Sequence, residues 1–133
     1  MTEQILIVED DAHVRELVEL ILSQAGYDVV SARDGAMALE LLRHLKPSLM
    51  LLDINMPGIS GLEVLRTVRQ LRRLTMPILM MTANQSAETV REVMALGGDG
   101  YVLKPFTHEV LLMRVRKALA SPPAAQAQKI AYI

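Results

Sequence analysis

Apolar positions along the chain follow two alternating rhythms. Ile5-Leu6-Ile7-Val8, Tyr27 to Ala32, Leu49-Met50-Leu51-Leu52, Met76 to Met81 and Tyr101-Val102-Leu103-Lys104 are short, mostly continuous runs of strand length, the pattern of strands buried on both faces. Between them the apolar residues return at spacings of three and four, which is the face of a helix. The first helix carries Val14, Leu17, Val18, Ile21, Leu22 and Ala25 inward and stops at Gly26, where a left-handed terminus favours glycine. Asp34 caps a second with Ala38, Leu39, Leu42 and Leu45 inward, closed by Lys46-Pro47. Ser60-Gly61-Leu62-Glu63 has the form of a capping box and opens a third, with Leu62, Leu65, Val68 and Leu71 toward the sheet. Ser86 caps a fourth through Val90, Val93, Met94 and Leu96, ended by Gly97-Gly98; Thr107 caps a fifth with Val110, Leu111, Leu112, Val115 and Leu119.

Five strands alternating with five helices imply an α/β fold with a parallel sheet covered on both faces. Covering both faces with right-handed crossovers requires one reversal of winding, and the most economical strand order is 2-1-3-4-5. In a doubly wound sheet the strands' carboxyl ends form the site. The ends here are polar: Glu9-Asp10-Asp11 after the first strand, Asp53 after the third, Thr82 after the fourth and Lys104 after the fifth. The order 2-1-3-4-5 makes the first and third strands neighbours and so gathers Glu9, Asp10 and Asp53.

Composition narrows the function classes. The chain has 133 residues, enough for one core, and is 51% hydrophobic but only 3% aromatic, so the core is aliphatic, with nine methionines to fill irregular gaps. A net charge of −1 gives no field for nucleic acid, and the absence of cysteine excludes disulfides, thiolate metal sites and redox thiols. Met1-Thr2-Glu3-Gln4 does not resemble a signal peptide, and no apolar run reaches membrane-spanning length. The expectation is a cytoplasmic protein with no membrane contact. His13, His44 and His108 have no metal-ligand spacing and read as surface residues.

Three carboxylates gathered within a few ångströms repel by roughly 1 to 4 kcal/mol per pair at an effective dielectric near 20, so a cation must offset them. Hard oxygen ligands without His or Cys suit Mg²⁺ or Mn²⁺. A carboxylate beside such an ion and the Lys104 ammonium, with the Thr82 hydroxyl at hand, can attack a phosphoryl group in line and form an aspartyl phosphate.

On Val8-Glu9-Asp10-Asp11, Leu51-Leu52-Asp53-Ile54-Asn55-Met56-Pro57-Gly58, Met81-Thr82-Ala83 and Gly100-Tyr101-Val102-Leu103-Lys104-Pro105-Phe106, the chain resembles the response-regulator receiver domains of bacterial two-component signalling, from Ile5 to about Leu119. The resemblance implies a flavodoxin-like fold and a switch that catalyses only its own phosphorylation and dephosphorylation. It implies Asp53 as phosphoacceptor, Asp10 as direct Mg²⁺ ligand, Glu9 acting through metal-bound water and Asn55 through its backbone carbonyl, with Asp11 left to the helix terminus. Lys104 and Thr82 would bind the phosphoryl group, Ala83 would leave it room, Tyr101 would turn inward behind Thr82, and Asn84 would tune the lifetime of the modification. A cis Lys104-Pro105 bond is implied as well.

The same resemblance implies a histidine kinase or histidine phosphotransfer protein as donor, docking near the first helix, and an output domain or downstream protein as receiver of the signal. A homodimer through the fourth helix, fifth strand and fifth helix has Asp99 and Arg114 available, but Val90, Gly100 and Val110 stand where charges would be expected. Arg66, Arg69, Arg72 and Arg73 read as a solvated face. Residues 1–120 are expected to form the receiver and 121–133, with Ser121-Pro122-Pro123, a flexible tail or the start of a linker.

Competing readings are weaker. A flavodoxin-like cofactor binder wants a phosphate loop where this chain has Glu9-Asp10-Asp11. A Mg²⁺-dependent phosphohydrolase with an aspartyl-phosphate intermediate wants an acid two residues after the nucleophile, where Asn55 cannot relay a proton. A phosphorylation-independent binding module has no need of the complete set Glu9, Asp10, Asp53, Thr82 and Lys104.

Overall fold

The computed structural model describes residues 2–83 and 86–120. Strands β1 (Gln4–Val8), β2 (Asp28–Ala32), β3 (Leu49–Asp53), β4 (Ile78–Thr82) and β5 (Gly100–Leu103) form one parallel sheet in the order β2-β1-β3-β4-β5. Helices α1 (Ala12–Gln24), α2 (Gly35–Leu41), α3 (Gly61–Arg66), α4 (Ala87–Ala95) and α5 (His108–Ala120) cross between them. The architecture is the expected one.

Alternation of side chains along the strands divides the core. Ile5, Ile7, Leu49, Leu51, Leu79, Met81 and Val102 pack with α1 and α5; Leu6, Val8, Met50, Leu52, Ile78 and Met80 pack with α2, α3 and α4. All five residues of β3 and of β4 are buried, which is why both read as near-continuous apolar runs. The predicted caps form: Asp34 accepts from Met37 N at 2.8 Å, Ser60 Oγ from Glu63 N at 3.3 Å, Ser86 Oγ from Thr89 N at 3.2 Å and Thr107 Oγ1 from Val110 N at 3.1 Å. Gly26 has the expected positive φ, 97°.

Several helix faces differ from expectation. Helix α3 passes into a π-helical turn over Thr67–Leu71, where Arg72 N donates to Thr67 O five residues back. Val64 is buried beside Leu65 and Val68, and the widened turn that follows shifts the phase of the stripe so that Leu71 points outward at 78% exposure. Leu17, Met94 and Val110 are likewise exposed and Ala25 lies at the solvent side of its helix end; each sits on the margin of its stripe. Helix α2 stops at Leu41, short of Leu45. Arg72 Nη1 occupies Leu39 O at 2.7 Å, and Arg43 N turns to Glu40 O, which tightens and ends the helix.

The arginines are therefore not all a solvated face. Arg66 and Arg73 are exposed, but Arg69 is nearly buried and donates from Nε to Gly97 O (2.9 Å), from Nη1 to Leu74 O (2.7 Å) and from Nη2 to Asp99 Oδ2 (2.8 Å). Asp99 Oδ2 also accepts from Ile78 N at 2.8 Å. This clasp joins the π turn, the start of β4 and the α4–β5 loop, and it engages the acid that the dimer reading needed free. Among the described residues no helix is long and apolar enough to cross a membrane. Asn84 and the tail 121–133 lie outside the described residues.

Candidate functional site

Register builds the site. Val8 pairs with Leu52 and Asp53 with Met81, so Glu9 follows β1 directly beside the end of β3, and Thr82, paired with Leu103, ends β4 on the other side. Glu9 is fully buried, Asp53 is 4% exposed and Thr82 2%, whereas Asp10 and Asn55 are at the surface. Carboxylate oxygens of Glu9, Asp10 and Asp53 lie within 4.8 Å of one another. Lys104, just past β5 and before the cis bond to Pro105, reaches back across the sheet end: Nζ is 2.5 Å from Glu9 Oε1 and 3.2 Å from Asp53 Oδ1. Lys104 N also donates to Thr82 O at 2.8 Å, which ties the ends of β4 and β5 together. The predicted acids, Thr82 and Lys104 thus meet at one rim. Ala83 is exposed next to Thr82, and Tyr101 is half-buried against the core packed by α2, α3 and α4. His13, His44 and His108 are exposed as expected.

Charge balance at this rim is incomplete. Lys104 supplies one positive charge to two buried carboxylates, and Glu9 Oε2 is buried without a hydrogen-bond partner among the described residues. Burial first, then hydrogen bonding with Glu9 and its negative field, push the Asp53 carboxyl from 3.8 up to about 6 despite the pull of Lys104. Burial would lower the Lys104 ammonium, but its bond to Glu9 and the fields of Asp53 and Glu9 hold it above the ordinary lysine value. A hard divalent cation fits what is left: carboxylate oxygen donors, one of them orphaned, beside the exposed Asp10. Asp11 faces away from this chemistry; its carboxylate accepts from His13 N and Val14 N, caps α1 and is held below the usual range by those bonds.

A pH dependence follows from Asp53. Its folded pKa lies above its ordinary value, so the stability linked to the protonated form is fully present below about pH 4 and is lost as pH rises through about 6. At about 1.4 kcal/mol per tenfold change, the difference amounts to roughly 3 kcal/mol at most. Without divalent metal, Asp53→Asn is expected to be about 2 kcal/mol more stable than the native chain at pH 7.5 and equal to it near pH 4, checked by urea unfolding at both values. A mutant no more stable at pH 7.5 would contradict the repulsion described here.

Sequence reasoning missed two contributors. A Cβ on Gly61 would stand 2.1 Å from Asp53 O and 2.8 Å from Ile54 Cα, so the first turn of α3 lies directly on the backbone of the acid. Arg15 of α1 donates from Nη1 to Glu9 O at 2.9 Å. The first carries no signal beyond being a glycine at a helix start, and the second none at all.

Comparison with known proteins agrees with the geometry. The family model described as "Response regulator receiver domain" matches residues 5–116. The transcriptional regulatory protein YrkP of Bacillus subtilis is 44% identical over 115 residues, 86% of this chain and 48% of YrkP, so the chain spans about half the length of that relative. Among solved structures, the chemotaxis response regulator CheY4 of Vibrio cholerae superposes with a TM-score of 0.84 at 34% identity, covering 89% of this chain and 99% of CheY4. The response regulator TrrA of Thermotoga maritima, solved in complex with Mg²⁺ and BeF, gives 0.79 at 34% identity over 88% of this chain and 99% of TrrA. The sheet order, the acids gathered at its rim and these similarities together make the chain a member of the response regulator receiver domain family.

Proposed function

We propose that this chain is a phosphorylation-activated signalling switch whose phosphoacceptor is Asp53. The observation that carries the reading is the placement of one nearly buried carboxylate at the end of β3, 3.2 Å from the Lys104 ammonium and within 4.8 Å of the Glu9 and Asp10 oxygens. Glu9, Asp10, Asp53 and the backbone carbonyl of Asn55 would hold Mg²⁺, with Mn²⁺ as a substitute; the orphaned Glu9 oxygen and the TrrA complex support that assignment. The ion would supply charge neutralisation for the phosphoryl oxygens. An Asp53 oxygen attacks phosphorus, the donor's bond to phosphorus breaks, and the former donor group leaves with the electron pair. Lys104 and Thr82 bind the transferred group's oxygens, and Ala83 leaves them room.

The donor in this reading is a histidine kinase or histidine phosphotransfer protein of the cytoplasm. Phosphorylation draws Thr82 toward the phosphoryl group and Tyr101 inward, altering the surface of α4, β5 and α5 for an output domain or downstream protein. A role in transcription is supported by YrkP's name, and residues 121–133 would lead toward such an output domain. Asn84 is assigned to tuning the phosphoryl lifetime. The chain is a switch with one turnover per signal, not an enzyme acting on outside substrates.

Intact mass after incubation with acetyl phosphate tests this. One phosphoryl adduct is expected with Mg²⁺, none with chelator and none in Asp53→Asn. An adduct of equal yield in Asp53→Asn would refute the assignment.

A further inference from the structure

Among the described residues, Arg15 holds the main chain of the acid pair through its side chain, and the mechanism above gives it no role. Its guanidinium, half-buried on α1, donates to the carbonyl of Glu9, the oxygen of the peptide that joins Glu9 to Asp10. On the other side of the same residue, Glu9 N donates to Ala32 O of β2 at 3.1 Å. Two residues on, Asp11 is fastened to the start of α1 by its cap bonds to His13 N and Val14 N and by Arg15 N donating to Asp11 O at 2.9 Å. Asp10 therefore hangs from a three-residue bridge whose two ends are fixed, and Arg15 contributes to both: its side chain orients the peptide before Asp10 and its backbone closes the turn after it. Asp10 is itself exposed, so packing does little to orient it.

We propose that Arg15 is a positioning residue for divalent-cation binding, setting the Glu9–Asp10 peptide so that the Asp10 carboxylate stays with Glu9 and Asp53. The proposal rests on the reading that these acids hold the cation. It makes a prediction opposite in sign to that of charge alone. Arg15 is a positive charge near the site, so if it acted only through its field, removing it would tighten Mg²⁺ binding. If it acts by holding the peptide, removing it weakens binding despite the more negative pocket, because a group that orients a ligand matters about as much as an outer-shell partner, about tenfold in affinity.

Calorimetric titration of Mg²⁺ into the full 133-residue chain, native, Arg15→Met and Arg15→Lys, decides between these. Met keeps the aliphatic stem and removes the charge; Lys keeps the charge without the planar fork. The expected result is binding about tenfold weaker in Arg15→Met and intermediate in Arg15→Lys, with the rate of phosphorylation by acetyl phosphate recovering at saturating Mg²⁺. Equal or tighter binding in Arg15→Met overturns the proposal. Thermal midpoints are measured alongside: a lower midpoint with native affinity makes Arg15 a stabilising residue only, and overturns it too. If Arg15→Met does not fold, native affinity in Arg15→Lys has the same force. Failure of the native chain to bind Mg²⁺ refutes the cation reading itself, and with it the role given to Arg15.

Discussion

Replacing Arg69 by alanine is expected to lower the stability of the chain by about 3 to 5 kcal/mol, among the larger effects a single substitution can have. The mutation removes three hydrogen bonds whose acceptors are Gly97 O, Leu74 O and Asp99 Oδ2. It also leaves the Asp99 carboxylate, 12% exposed, with no guanidinium to balance it, and breaking one side of a nearly buried pair costs more than the pair itself contributes. Burial holds the Arg69 guanidinium below its ordinary value and Asp99 offsets only part of that, so the charge is a desolvated one that depends on its partner. For a domain of this size the loss corresponds to a fall in thermal midpoint of about 10 to 20 °C. Substituting Asp99 by Asn in the Arg69→Ala background should recover part of it, since no unpaired charge then remains; the double-mutant cycle measures the coupling. A loss below about 1 kcal/mol for Arg69→Ala would mean that the clasp is not held in solution. Phosphorylation of Asp53 in the folded fraction should change little, because the clasp lies at the amino ends of β4 and β5, away from the acids.

Gly61→Ala is the second large effect. The added methyl would meet Asp53 O at 2.1 Å, Ile54 Cα at 2.8 Å and Asp53 C at 2.9 Å, all backbone atoms of a buried strand end that cannot give way. Helix α3 must retreat instead, breaking the bond from Gly61 N to Ile54 O and loosening the Ser60 cap. A loss of at least about 3 kcal/mol is expected, at the upper end of overpacking costs because no flexible side chain is available to absorb the clash. Gly58→Ala is the control. Gly58 has a positive φ of 77° but nothing within 4 Å of its absent Cβ, so only the dihedral penalty of about 1 to 2 kcal/mol applies. Chemical denaturation of the two mutants separates close approach from backbone conformation. If Gly61→Ala loses no more than Gly58→Ala, the contact between α3 and the backbone of Asp53 is looser than described. Gly61→Ala should also slow phosphorylation, since the displaced helix start rests on the backbone that positions Asp53.

What could be read from the chain was what local patterns determine. The run Leu49 to Leu52 ending in Asp53 announces a buried central strand because every residue of it is buried, and the turn and cap residues mark where each helix begins. Glu9, Asp10, Asp53, Thr82 and Lys104 were found because a parallel sheet sends all its polar strand ends to one rim. The misreadings have long-range causes. The phase of α3 beyond Thr67 depends on where Arg69 finds its acceptors at Gly97 and Asp99, about thirty residues away, and nothing within the helix records that. Helix α2 ends early because Arg72, from the other side of a strand and a helix, takes the carbonyl of Leu39. Arginine was read as solvent-seeking, whereas a planar fork with several donors is well suited to gathering loose carbonyls in a loop-rich corner. Asp11 was separated from the acid pair and the cap bonds bear this out, yet the neighbouring contact of Arg15 with Glu9 left no trace in spacing or charge pattern.

The position of β1 inside the sheet has a consequence for assembly. Since all neighbouring strands are parallel, none can pair through a tight hairpin, and β1 cannot pair even with its nearer partner in sequence, β2, until residues 9–27 have closed a loop. The other edge of β1 belongs to β3 and stays open until the chain has been made as far as Leu49. Ile5, Leu6, Ile7 and Val8, fully covered in the finished domain, are thus exposed longest during synthesis, and a chain of this topology collapses through distant contacts and folds slowly for its size.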